Sequence, residues 1–304
     1  MKTISIGADI GGSHITTMAV DLGSGQLLHE TLARCNVNCD RPATEILVAW
    51  KTSLEETLRK SLQYQLTGIG FAMPGPFDYA NGIALFKGVN KFESLYGLDI
   101  RAEIKSMTGL PGELPVRFLN DATCFAIGEA WAGEASKYRR LLAITLGTGF
   151  GSAFLDAGIP ISTGDEVPLH GWVYHLPFGN SIADDHFSTR WFIKRFHELS
   201  DQTVSGVKEI ALAYPANPAA IAIFNEFGKN LGQFLAPLIR NFRTECLVIG
   251  GNIGHSYTLF REPFLEGLNA NNITGLHVCV SANGEEAAIA GSARLADNVF
   301  YNSI

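Results

Sequence analysis

Residues 4–21 read ISIGADIGGSHITTMAVD, and between Leu141 and Asp156 the same design returns as LLAITLGTGFGSAFLD. Each copy is a β-rich apolar run, a polar residue, a glycine-rich tight turn and a second β-rich run. Aligning Asp9 with Thr145, 136 positions later, sets Gly11 over Gly147 and Gly12 over Thr148, so one supersecondary unit occurs twice in a single chain. Two such hairpins facing each other would clamp a polyphosphate. Glycine turns with φ > 0 and carries no Cβ, so its N–H can approach an anion closely, which suits Gly11, Gly12, Gly147 and Gly149 to phosphate oxygens. Ser13, Thr145 and Thr148 add hydroxyl donors. Asp9, at a strand end, would repel phosphate directly; it makes sense as the holder of a hydrated Mg²⁺ that carries the phosphates. Ordinary hairpins with glycine turns are the plain alternative, and either motif alone would favour it. The recurrence, with a carboxylate in one copy and threonines in the other, favours a nucleotide site.

Composition narrows the classes. The chain of 304 residues is 46% hydrophobic and 17% charged, which is globular, long enough for two domains with real cores, and not disordered. A net charge of −7 and the absence of basic runs argue against nucleic acid and for a small-molecule partner. The cysteines, at 35, 39, 124, 246 and 279, are odd in number and scattered, which reads as reduced thiols in a cytoplasmic protein. Cys35 and Cys39 have no second pair or nearby histidine to complete a metal site. Asp9 interrupts the first apolar run before any signal core forms, and no stretch nears the roughly 20 apolar residues that span a bilayer.

The pattern predicts strands at 3–9, 15–21 and 26–33, and a helix through Ile46, Leu47, Trp50, Leu54, Leu58 and Leu62. A buried strand at 67–72 ends in Met73-Pro74-Gly75-Pro76, a rigid loop. A short strand at 83–86, a helix at 98–107 and a strand at 116–119 follow; the last delivers Asn120 and Asp121 to the start of a helix at 122–135. The strand pattern restarts at Leu141. Residues 158–187 lack periodicity, and such a long irregular stretch is usually functional. Helices are expected at 187–199, 207–213 and 219–240, the last with a broad apolar stripe. A strand at 246–249 ends in Gly250-Gly251, and a strand at 277–280 and a helix at 285–296 close the chain.

Asp121 combines a carboxylate with a helix start, where the macrodipole keeps it ionised and able to take a proton from an attacking alcohol. Asn120 or Asp121 serves equally well as a simple helix cap. Gly250-Gly251 could let a purine or ribose lie on the backbone, or merely connect strand to helix; Gly75 could shape a substrate wall, or merely turn the chain. His170, His175, Asp184, Asp185 and His186 fall in the irregular stretch without metal-ligand spacing, and fit a sugar pocket as well as a metal.

Together these segments resemble the ROK family of sugar kinases and repressors, within the hexokinase, Hsp70 and actin superfamily. The likeness runs through DIGGSH (9–14), GFAMPGPFD (70–78), GVN (88–90), LNDAT (119–123), TLGTGFGS (145–152) and IGGNI (249–253). It implies an α/β fold of two RNase H-like domains around a central cleft. The first would span 1–120, with the last helix, 291–304, returning to it, and the second 121–290. By the same likeness Asp121 matches the catalytic base that deprotonates a sugar hydroxyl attacking the γ-phosphate of ATP, and Asp9 the Mg²⁺-associated carboxylate. Gly11, Gly12, Thr145, Gly147, Thr148 and Gly149 match the phosphate loops, Gly250 and Gly251 the adenosine loop, and Asn90 and Asn120 positions contacting sugar hydroxyls. The family's habit of pairing implies a homodimer.

The chain departs from the family at HGWVYHLPF from 170: His175 is kept, but Trp172 stands where a Glu is expected and Tyr174 where a Gly is. The family's zinc cluster is absent, since no cysteine lies between 124 and 246, so no zinc is expected. Asp184 falls where a later sugar-binding Glu belongs. An ATP-dependent hexose or N-acetylhexosamine 6-kinase is the leading expectation. The alternative is a sugar-binding sensor; with the first hairpin beginning at residue 3, no DNA-reading module is expected ahead of it.

Overall fold

The computed structural model describes residues 2–304 and divides into two compact units, one running through Ser136 and taking back Asn283–Ile304, the other Lys137–Ala282. In the first, β1 (Thr3–Ile10) and β2 (His14–Asp21) form the glycine-turn hairpin, closed by the Gly11 N–H donating to the His14 carbonyl at 2.9 Å, and β3 (Leu27–Asn36) extends it. Helix α1 (Ala43–Lys60) starts after Pro42, whose fixed φ and missing N–H suit a helix start, and buries Ile46, Leu47, Trp50 and Leu54 as the spacing predicts. Then come β4 (Gln65–Met73), the two-residue ribbon of β5 (Phe77–Asp78) with β6 (Ile83–Ala84), α2 (Ile100–Thr108), β7 (Val116–Asn120) and α3 (Asp121–Ala132).

The second unit opens with β8 (Arg140–Leu146), β9 (Phe150–Asp156) and β10 (Ile159–Ile161). The aperiodic stretch that follows folds into short pieces, β11 (Pro177–Phe178), β12 (Ser181–Ile182) and α4 (Ala183–His186), before α5 (Thr189–Ser200), α6 (Val207–Ala213) and α7 (Pro218–Phe242). Strand β13 (Cys246–Gly250), α8 (Tyr257–Asn269) and β14 (His277–Val280) complete it, and α9 (Glu285–Arg294) and α10 (Asn298–Tyr301) belong to the first unit.

The hairpin repeat in the sequence is the visible part of a larger duplication. One sheet has the order β3-β2-β1-β4-β7 and the other β10-β9-β8-β13-β14. In both, the first three strands are antiparallel and the last two run parallel to the first. This is the RNase H-like arrangement, made twice. The first unit continues past residue 120 through α3, and the step from Asn120 to Asp121 lies inside it.

Helix α9 seats on the first sheet by backbone contact, which the glycines permit. A Cβ on Gly70 would lie 1.8 Å from the Ser292 carbonyl oxygen, on Gly7 2.0 Å from that of Ile289, and on Gly128 of α3 1.9 Å from that of Ala287. All three neighbours are backbone oxygens and none is a flexible side-chain tip, so the helix itself has to shift. Gly70→Ala is expected to destabilise the protein by about 3 kcal/mol through this overpacking, lowering the Tm by roughly 5–10 °C; thermal unfolding of the variant measures it, and an unchanged Tm would show that α9 docks elsewhere.

The second core is aromatic. Phe187, Phe192 and Phe227 pack edge to face and tilted, and Phe260 of α8 meets Phe227 with ring centroids 5.1 Å apart. The sequence reading has no element between 252 and 276, yet α8 lies there. Its Tyr257, Phe260, Phe264 and Leu268 carry helical spacing, hidden by Pro263 within the helix. Its partner α7 uses its broad apolar surface inside this unit: Gly228 and Gly232 let the two helices touch backbone to backbone, at Phe260 and Phe264.

Candidate active site

Within the first unit, three parallel strands end side by side. Asp9 of β1 pairs with Ala72 of β4, Ala72 with Leu119 of β7, and Met73 with Asn120. Asp9, the Pro74-Gly75 turn and Asn120-Asp121 are therefore collected at one edge of the sheet, outside the carboxyl ends of the strands, where open α/β sheets bind ligands. Asn120 caps α3, accepting from the Thr123 N–H at 3.2 Å, and its amide also donates to Asp121 Oδ1 at 2.9 Å. The Ala122 N–H donates to the same Oδ1 at 2.8 Å. Both of these bonds fall on Oδ1. The cap and the candidate base are thus neighbouring residues with separate tasks.

Burial pushes the Asp121 carboxyl above the ordinary carboxylate range, against the pull of Lys91 and of the donors Ala122, its own backbone N–H and Asn120. Asp9 is pushed further, to about 8, by burial first and then by the charges of Asp121 and Glu285, with Lys91 and Arg34 opposing. Desolvated carboxylates crowded at one strand edge are a hard-oxygen set short of positive charge, which fits a divalent cation with a partial water shell. Lys91 is the cation common to both groups, and its Cε would lie 3.7 Å from a Cβ on Gly12.

The first glycine turn is held from behind by Glu285, the opening residue of α9. Its carboxylate meets His14 Nε2 at 2.9 Å, accepts a short hydrogen bond from the Thr16 hydroxyl, and faces Arg34 at 3.7 Å. Ser13, exposed, is 3.0 Å from the other nitrogen of His14. Gly75 forms a cis bond to Pro76, and Tyr79 Oη, which donates to the Met73 carbonyl at 3.2 Å, stands beside it. Asn90 is exposed with φ 53°, and its N–H donates to Glu93.

In the second unit, Thr145 of β8 pairs with Gly250 of β13, so the GTGFG turn and Gly250-Gly251 lie at adjacent strand ends. Gly251 has φ +79°, and a Cβ there would lie 2.4 Å from the Leu146 carbonyl oxygen; only glycine fits against the strand at that point. Thr148 and Gly149 are exposed, and the Gly147 carbonyl accepts from Thr189 at the start of α5. Asp184 works on this turn: Oδ1 accepts from the Phe150 N–H at 2.7 Å and Oδ2 pairs with Arg190 at 2.6 Å, while Arg190 also donates to the Thr148 carbonyl. His175 is exposed, its ring edge against Tyr174.

Lys91, Glu285, Tyr79 and Arg190 are absent from the sequence reading. Lys91 directly follows GVN and was within reach of that motif. Glu285 and Arg190 carry no local signal, since each comes to its glycine turn from a distant helix.

Residues 5–175 match the ROK family. The chain belongs to this family. Its similar proteins include an N-acetyl-D-glucosamine kinase of Haemophilus influenzae, 25% identical over 277 residues that cover 82% of this chain and 84% of that one. They also include a glucokinase of Thermotoga maritima, 25% identical over a 318-residue alignment covering 95% and 96%. In three dimensions the chain matches a ROK family glucokinase from Streptomyces griseus, solved with glucose and AMPPNP, at a TM-score of 0.74 and 22% identity over 96% of this chain and 98% of that one. The α/β fold of ROK sugar kinases is therefore this chain's fold. Among the described residues no helix is long and apolar enough to cross a membrane.

Proposed function

We propose that this ROK protein transfers the γ-phosphoryl group of Mg-ATP to the 6-hydroxyl of a hexose or N-acetylhexosamine. The observation that carries the reading is the pair of carboxylates at the strand ends of the first unit, Asp121 with the Asn120 and Ala122 donors gathered on Oδ1 and Asp9 beside it. Asp121 Oδ2 takes the hydroxyl proton as the sugar oxygen attacks, and its raised pKa brings its basicity closer to neutral pH, where proton transfer is most effective. Asp9 is the residue that would hold a hydrated Mg²⁺, which when bound would supply charge to neutralise the phosphate oxygens. Gly11, Gly12 and Ser13, with Thr145, Gly147, Thr148 and Gly149, supply the donors for the nucleotide phosphates, and Gly250-Gly251 the flat backbone for adenosine. Gly75, Asn90 and Asn120 are the first unit's contacts for sugar hydroxyls, and His175 is the second unit's. Asp184, with both oxygens engaged by Phe150 and Arg190, contributes by shaping the second phosphate turn, and reaches sugar only by giving up one of those bonds.

The test is coupled ADP release with Mg-ATP against glucose, N-acetylglucosamine, N-acetylmannosamine and their epimers. Turnover that depends on one of these sugars, with the product phosphorylated at C6, supports the reading. No turnover with any of them, while a sugar still raises the Tm, would replace the kinase by a sugar sensor, in keeping with Trp172 and Tyr174 in the altered stretch.

A further inference from the structure

Strands β13 and β14 carry a second constellation, on the sheet face turned away from the aromatic core. Cys246 pairs with His277, and Val248 with Cys279, in parallel register. Side chains alternate along a strand, and paired residues share a face, so Cys246, His277 and Cys279 all point to one side. Leu247, Ile249 and Val278, at the intervening positions, pack into the core on the other. The three candidate donor atoms lie within 4.8 Å of one another, and the two sulfurs are 3.6 Å apart. Two thiolates bound tetrahedrally to zinc, at about 2.3 Å each, stand about 3.8 Å apart, so the sulfurs are already at the edge length the ion needs.

We infer that Cys246, His277 and Cys279 form a binding site for a soft divalent metal ion of the zinc class. Two thiolates and a neutral imidazole bring two negative charges, which one M²⁺ cancels, and a neutral centre suits a position where Cys246 is fully buried. His277 is exposed and stacks on Tyr138 with centroids 4.9 Å apart, which fixes its ring and leaves an open way in for the ion. Glu245, the acidic residue next to Cys246, accepts from the Arg139 and Arg140 N–H groups through Oε2, and a zinc held by the three side chains would take water as its fourth ligand. Binding displaces both thiol protons and tightens as pH rises. The ion would tie edge strand β14 to β13 just before the chain leaves for α9, stiffening the second sheet at its open edge. This constellation is independent of the cysteine cluster whose absence led the sequence reading to expect no zinc, and of the kinase reading.

Metal-stripped, thiol-reduced full-length protein is titrated with Co²⁺ and followed by absorbance. Expected are one Co²⁺ per chain, a thiolate-to-cobalt charge-transfer band of two-thiolate strength, displacement by Zn²⁺ and a higher Tm with either ion. Cys279→Ser should halve the band, and His277→Gln, at an exposed position, should weaken affinity at least tenfold while keeping it. No thiolate band in the reduced wild type, an undiminished band in Cys279→Ser, or an unchanged Co²⁺ affinity in His277→Gln would overturn the site. Should Cys279→Ser not fold, His277→Gln decides alone.

Discussion

Asp121→Asn is expected to lower sugar-dependent ADP release by about 10²–10⁴-fold, the usual share of a general base, with sugar KM within a few-fold and no loss of Tm. Asparagine keeps the volume and the oxygen that accepts from Ala122 and Asn120, so the start of α3 is preserved. What disappears is the carboxylate's ability to take a proton. Because burial raises the Asp121 pKa, the wild-type rate should climb with pH through a value above the ordinary carboxylate range, as the base form appears, and that limb should be missing from the variant. Alanine at Asn120 is the contrasting control: it strips the helix cap, at about 1 kcal/mol, and should show first as a lower Tm. An Asp121→Asn enzyme within tenfold of wild type would remove Asp121 from the chemistry.

Asp9→Asn should move activity and stability in opposite directions. Without a cation, the folded protein holds the Asp9 proton up to about pH 8, whereas the unfolded chain releases it near 3.8. Between those values the folded state binds more protons, so the Asp9 contribution is intact below the unfolded pKa and is lost as pH rises through the folded one. Asparagine cannot ionise and escapes that loss. The Tm of the metal-free variant should therefore exceed that of wild type by a margin that is small near pH 5 and grows to several degrees by pH 8. Mg²⁺ should restore wild type toward the variant and leave the variant unmoved, while Mg-dependent turnover collapses. Equal pH profiles of Tm in the two proteins would refute the crowded-carboxylate account, and full turnover in the variant would take Asp9 away from the metal.

Much of this was legible locally. The two glycine hairpins, the helix from Ala43, the strand into Asn120 and the strand at His277 follow from periodicity and punctuation, and the structure has them within a few residues. The hairpin repeat pointed to duplication but not to its extent, because β4, β7, β13 and β14 join their sheets through parallel pairing across long connections that leave no mark on neighbouring residues. Helix α8 was hidden by Pro263, and its place is decided by Gly228 and Gly232 of α7, whose missing side chains open the groove it fills.

The sequence by itself determined which residues turn tightly, which strand ends carry carboxylates, and that the chain carries a net charge of −7. Those are properties of residue type and near spacing. Tertiary structure alone decided that the charge of Asp121 would reach Asp9, that Lys91 would answer both, that Glu285 would brace the first turn and Asp184 the second, and that Cys246, His277 and Cys279 would converge. Burial and Coulomb energy depend on distances in space, and strand pairing and helix return set those between residues far apart in the chain.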